Sequence, residues 1–188
     1  MTNGEAGAPK REAVWLQQRD QDTAQLKRLE GTILKSAGGQ RRFKKAIPQL
    51  LSRAIDEVID SPRTGRSALD ETKMNERIYL GVKVRVQVRG LLGLPKGRTL
   101  DFLANGAETS IRSTIRQTWS IPPTIVGNPC ILIKSDLKRS VCSVGAIVVR
   151  EEMLSPSKGP SCKRAISRAG LAGIRWILRD EPFPDFRW

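Results

Sequence analysis

The chain is 188 residues long and carries 33 Lys and Arg against 19 Asp and Glu, a formal charge of +14. With 39% hydrophobic residues it is long enough to bury one core, and no apolar run approaches the roughly 18 residues that a bilayer span needs. Histidine is absent, which excludes Ser–His and Cys–His catalytic pairs and every His-ligated metal site. Cys130, Cys142 and Cys162 show no CxxC spacing and read as free thiols of a reducing compartment, so a cytoplasmic setting is expected. The opening residues MTNGEAGAPKREA lack an apolar stretch, so no secretory signal is expected.

The surplus of positive charge is the electrostatic footprint of a polyanion binder, although a basic protein simply rich in Arg would look similar. Aromatics make up only 5% and no aromatic-rich strand is visible, which disfavours base-stacking RNA platforms. Phosphate contact on double-stranded DNA is the more natural use of these cations.

Residues 1–40 read as a basic N-terminal extension, partly disordered or helical, ahead of a domain over 41–188. Residues 1–20 are polar without clean periodicity, which suits a disordered or loosely docked tail. Asp22 to Lys35 is weakly helical, and Ala37-Gly38-Gly39 breaks it. From Phe43 the pattern sharpens: Ile47, Leu50, Leu51, Ala54, Ile55, Val58 and Ile59 fall on one face of a predicted helix. Its approach carries Arg41, Arg42, Lys44 and Lys45, cations placed where the helix dipole disfavours them. Contact with phosphate would explain them; a solvated flank is the plain alternative.

Ser61 to Arg66 reads as a turn, and a second helix is predicted from Ser67 or Asp70 onward, carrying Glu76. Val82, Val84, Val86 and Val88 then alternate with polar residues. That pattern suggests a half-buried strand whose outer row includes Lys83, Arg85 and Arg89; a helix running on from Glu76 competes with it. Gly90 to Gly97 reads as a loop. Arg98–Leu103 and Glu108–Ile115 read as two strands joined around Asn105-Gly106, a hairpin signal. Ile131–Ile133 and Val144–Val149 are short runs of buried-strand type. A final helix is predicted over Ser161–Arg179. On it Arg164, Arg168, Arg175 and Arg179 would lie within about 60° and could track a phosphate backbone, or be a solvated face. Trp119 and Trp176 read as core anchors. The order of elements predicts an α/β fold, a small mixed central sheet flanked by helices.

The hairpin carries the residues with chemical promise. An Asp on one strand, followed some nine residues later by acid–x–Lys on the next, is the layout of metal-dependent nucleases, whose carboxylates hold Mg²⁺ and whose Lys stabilises charge on phosphorus. Asp101 and the segment Glu108-Thr109-Ser110-Ile111-Arg112 have that spacing, with Glu108, Ser110 and Arg112 on one strand face. Several motifs in order extend the likeness: PRTGR at 62–66, NERIYLG at 75–81, LDF at 100–102, TWSIPPTIVG at 118–127, SVGAIVVR at 143–150 and KRAISRAGLAGIRWIL at 163–178. Together they resemble the endonuclease domain of the NaeI-type restriction enzymes, over about Ile59 to Phe186. The resemblance implies a restriction-endonuclease-like PD-(D/E)xK core, Glu76 as a helix carboxylate, and Asp101 as the first acidic strand position. Glu76 and Asp101 would be the metal ligands of an active site. Enzymes of that type carry a second DNA-binding domain after this one, and a sequence ending at Trp188 is expected to lack it.

Two positions depart from the family pattern Asp–x–Lys, where this chain has Ser110 and Arg112. A hydroxyl does not replace an ionised carboxylate on a hard cation, and a guanidinium neither deprotonates nor fits as an ammonium does. The expectation is therefore a duplex-DNA-binding protein with a degenerate centre and no cofactor, leaning away from an enzyme. It would serve a DNA-defence (phage-defence) or DNA-processing assembly beside a catalytic subunit, and a two-fold homodimer would suit a palindromic target. An active Mg²⁺-dependent endonuclease with Glu108 as a relocated ligand is the alternative, and a structural protein-binding subunit a third.

Overall fold

The computed structural model describes residues 8–157 and 159–184; the first seven residues of the predicted extension lie outside them. Helix α1 covers Ala8–Ser36, and Gly38 and Gly39, at φ 81° and 101°, turn the chain after it. Leu26, Leu29 and Ile33 recur at helical spacing along α1 and are buried, as is Ala37 just after it. Two ion pairs join α1 to distant segments. Asp22 takes both Nε and Nη2 of Arg150, at 3.0 and 2.7 Å, and Glu30 accepts from Arg175 Nε at 2.6 Å.

Helix α2 (Gln40–Ile59) buries the predicted face: Phe43, Ile47, Leu51, Ala54, Ile55, Val58 and Ile59 are all inside. The predicted turn is a short helix, α3 (Ser61–Thr64), closed by Gly65 at φ 69°. Helix α4 spans Met74–Leu92, so the predicted valine strand is a helix. Residues two apart lie about 200° apart on a helix. Alternation therefore sends Val84 and Val88 into the core with Leu80 and Leu92. It leaves Val82 and Val86 exposed with Met74, Ile78 and Tyr79. Over seven residues a half-buried strand and a helix apolar on opposite sides look alike; the stretch from Glu76 to Arg89 has no proline and a single glycine, Gly81, and so can continue as one helix. Lys83, Arg85 and Arg89 thus stand on α4 and not in a strand's outer row.

Strands β1 (Phe102–Ala104) and β2 (Ala107–Thr114) form the predicted hairpin, with Asn105 and Gly106 both at positive φ, 51° and 78°, as a two-residue hairpin turn requires. The first strand is shorter than expected because the amides of Arg98 and Leu100 bond to a side chain, described below, and not to a neighbouring strand. A minor ladder pairs β3 (Ser120–Ile121) with β6 (Arg164–Ala165). The main sheet adds β4 (Pro129–Asp136), β5 (Val141–Val148) and β7 (Arg175–Pro182), in the order β1-β2-β4-β5-β7. Strands β2 and β4 run parallel and the other neighbours antiparallel, a mixed sheet with helices against it.

The predicted helix over Ser161–Arg179 does not form; only α5 (Arg168–Ala172), capped by Ser167, is helical there. Gly170 presses onto the turn at Met153, where an added Cβ would sit 2.4 Å from the Met153 carbonyl oxygen. Beyond Gly173 the residues Ile174, Trp176 and Ile177 suit a strand, and Gly145 opposite them leaves room that a Cβ would fill, 2.4 Å from Ile174. The four-arginine ridge is therefore dispersed over β6, α5 and β7.

Both faces of the sheet are covered. Ile111, Ile131, Ile133, Val144, Ala146 and Val148 pack with α1, α2 and α4. Cys130, Leu132, Ile147 and Ile174 pack on the other side with Trp119, Ile121, Ile125 and Ile166. Trp119 is the expected anchor, its Nε1 donating to Ile133 O at 2.9 Å. Burial pushes the Cys130 and Cys142 thiols up to about 12, and Cys162 is exposed. Among the described residues no helix is long and apolar enough to cross a membrane.

Candidate functional site

Along β2, strand β1 reaches only Ala107–Thr109, so from Ser110 onward one edge of β2 carries no strand among the described residues. Asp101, one residue before β1, covers the start of that edge. Its Oδ2 accepts from Ile111 N at 2.7 Å and from Ser110 Oγ at 3.0 Å. Its Oδ1 lies 3.6 Å from Arg85 Nε, reaching across from α4. The helix comes against β2 one turn earlier, where Gly81 faces Ser113 and an added Cβ would lie 3.6 Å from Ser113 Oγ.

Glu108 has a different task. Its carboxylate accepts from Arg98 N at 2.6 Å, Leu100 N at 2.8 Å and Thr99 N at 3.4 Å. These amides, Leu100 first, hold it below the usual carboxylate range. Gly97 lets the loop wrap this closely, since a Cβ there would meet Glu108 Oε2 at 2.5 Å and Leu100 O at 2.6 Å. Both oxygens are committed to the loop.

Glu76 is not at this centre. It sits in the first turn of α4, accepting from Lys73 N at 2.7 Å and from Arg66 Nη1 at 2.7 Å. The Arg66 guanidinium, then the Lys73 amide, hold it below its ordinary range. Nine residues of helix, about 13 Å, separate it from Arg85. The two motifs PRTGR and NERIYLG thus meet in a structural ion pair. The α4 residue that reaches Asp101 is Arg85.

Helix α4 and the free edge of β2 border a cleft of about 890 Å³. Arg77, Arg85, Arg112, Arg116 and Lys163 line it, and among the described residues no Asp or Glu does. Arg77 is fastened to the carbonyls of Asp70 and Thr72. Arg112 has its Nε buried with no hydrogen-bond partner among the described residues.

A family model described as restriction endonuclease NaeI matches residues 39–186. The chain belongs to the NaeI restriction endonuclease family. Among characterised relatives it is 22% identical over 126 residues to the type II restriction enzyme NaeI of Lentzea aerocolonigenes, which covers 66% of this chain and 39% of that enzyme. The chain therefore spans about two fifths of that relative's length. The NaeI-family segment takes in α2 through β7, with the whole sheet and cleft, and α1 lies ahead of it.

Asp101 is where the resemblance places the first acid, Ser110 and Arg112 follow at the expected spacing, and Arg85 completes the group from the helix. A hard divalent cation wants several oxygen ligands, carboxylates foremost. At this centre Asp101 is the lone carboxylate, one oxygen already bonded twice and the other facing a guanidinium. Among the described residues no three or more His, Cys, Asp and Glu gather closely enough to hold a metal. The donor set does not fit Mg²⁺.

The other predicted cations lie elsewhere. Arg41, Arg42, Lys44 and Lys45 open α2, and Lys44 pairs at 3.1 Å with Glu181 on β7. That strand is three positions from β2 in the sheet, about 14 Å. Lys83 pairs with Glu57, Arg164 with Glu151 and Arg175 with Glu30. Arg168 and Arg179 are exposed, Arg179 lying 5.6 Å from the centroid of the Trp176 ring. Of the cations predicted to contact phosphate, Arg85 alone lines the cleft. The strand reading of Val82–Val88 hid it; the competing helix from Glu76 carries it.

Proposed function

We propose that this NaeI-family domain holds duplex DNA in the α4–β2 cleft without cutting it, as a DNA-binding subunit of a DNA-defence or DNA-processing assembly. The observation that supports this is the lining of the cleft: five cations and no carboxylate, at the place where a nuclease needs acids to hold metal. A cleft lined by one sign of charge concentrates the opposite sign, and phosphate is the obvious candidate for a nuclease fold. The free thiols of Cys130 and Cys142 suit a cytoplasmic setting.

Binding to a short duplex, measured across a salt series, tests the reading. Each phosphate neutralised contributes roughly −0.9 to the slope of log K against log salt. Engagement of most of the cleft cations predicts a slope of about −3 to −5. A weak, salt-insensitive association would reject it.

One further observation favours a protein contact alongside. Met74, Ile78, Tyr79, Val82 and Val86 are exposed on α4, with Met74 71% accessible. This stripe, of which Met74, Ile78 and Val82 lie on the cleft wall itself, suits a separate catalytic subunit or a second copy of the chain.

A further inference from the structure

We infer that the former metal centre is now an anion site, in which Arg85 and Arg112 clamp one backbone phosphate of duplex DNA directly, with no divalent cation between protein and phosphate. This rests on the DNA-binding reading above.

Three observations carry it. Arg112 lines the cleft and its buried Nε has no hydrogen-bond partner among the described residues. A desolvated N–H of a charged group is costly, and an oxyanion is the partner that would satisfy it. Arg85 also lines the cleft, and its Nε stands 3.6 Å from Asp101, beyond hydrogen-bond distance, so that contact leaves donors of its fork unused. Asp101 itself is turned to the β2 edge, with Oδ2 bonded to Ile111 N and Ser110 Oγ. Two guanidinium groups against one engaged carboxylate leave the centre net positive, the reverse of what a bound cation needs. Guanidinium forks match phosphate oxygens two at a time, which a point charge does not.

The test measures binding of a labelled duplex to the wild-type chain, Arg85→Gln, Arg112→Gln and Arg112→Lys, each in EDTA and in Mg²⁺. Unfolding midpoints are taken in parallel. In the same samples the Nε–Hε signal of Arg112 is followed by NMR during titration with duplex and, separately, with inorganic phosphate. The wild type is expected to bind in EDTA and no more tightly in Mg²⁺, which only competes for the phosphates. Each Gln variant should weaken binding about tenfold and make the salt slope shallower by about one. Arg112→Lys, which keeps charge but loses the fork, should fall between and guards against a variant that misfolds. The Arg112 signal should move with duplex and also with inorganic phosphate.

Wild-type binding that the three variants leave unchanged would overturn the clamp while the DNA reading stands. Binding that requires Mg²⁺ would overturn it too, since a cation would then occupy the centre. Failure of the wild type to bind any duplex would instead remove the DNA reading. In that case an unmoved Arg112 signal in inorganic phosphate would remove the anion site as well.

Discussion

Asp101→Ala is expected to lower the unfolding free energy by about 2–4 kcal/mol, with Asp101→Asn costing roughly half as much. The side chain is only 12% exposed and receives Ile111 N and Ser110 Oγ, while Arg85 stands against its other oxygen. Alanine strands a buried amide and a hydroxyl and leaves Arg85 without its counter-charge. Removing one partner of a buried pair costs about 3–5 kcal/mol, and the 32% exposure of Arg85 discounts that here. Asparagine keeps an acceptor for Ile111 and Ser110 but loses the charge and turns an amide donor toward Arg85. Urea unfolding of the two variants measures this. The opposite sign would mean that Asp101 is held at some cost to stability, as a carboxylate kept ready for a metal would be. The retained acid would then be a ligand and not a strut.

Removal of residues 1–37 is expected to cost most of the stability of the domain, although the NaeI-family segment begins only at residue 39. Leu26, Leu29 and Ile33 are at most 6% exposed and belong to the cluster under the sheet. Each buried aliphatic side chain contributes about 1.5–3 kcal/mol, so the three together contribute about 5–9. A domain of this kind has only about 5–15 kcal/mol in all. The truncation also leaves Arg150 and Arg175 without Asp22 and Glu30. Circular dichroism during urea unfolding should find a chain that has lost its cooperative transition. Ile33→Ala, a milder change, should cost about 2–5 kcal/mol. An unchanged midpoint on truncation would show that α1 is an accessory.

The sequence made some of this legible for clear reasons. A helix with one apolar face, α2, announces itself, because Phe43 to Ile59 keeps a single period over five turns. The Asn105-Gly106 turn is also local, since only residues that tolerate positive φ fit it. The runs in β4 and β5 are apolar throughout because both faces of the sheet are covered. Asp101 and Ser110 meet at 3.0 Å because hairpin spacing is short-range. What failed was long-range. Valines two apart on α4 divide between the core and an exposed side, a division that local alternation does not reveal. Residues 161–179 satisfy a helical wheel, but β5 opposite them, with Gly145 leaving room, makes Arg175–Pro182 a strand. Glu76 was assigned by motif order, and the ion pair with Arg66 claims it. Arg85 belongs to the centre only through a tertiary approach, α4 against the unpaired edge of β2.

The central claim, that this centre has exchanged a metal site for a cluster of arginines, is tested most directly by cleavage of supercoiled plasmid in about 5–10 mM Mg²⁺, enough to fill a weak carboxylate site. The wild type should leave the plasmid intact. The variant Arg85→Glu, Ser110→Asp, Arg112→Lys restores carboxylates around Asp101 and is the one expected to regain nicking. Wild-type cleavage that disappears in Asp101→Asn would contradict the account, because it would mean that Asp101 still serves a working metal centre among these arginines.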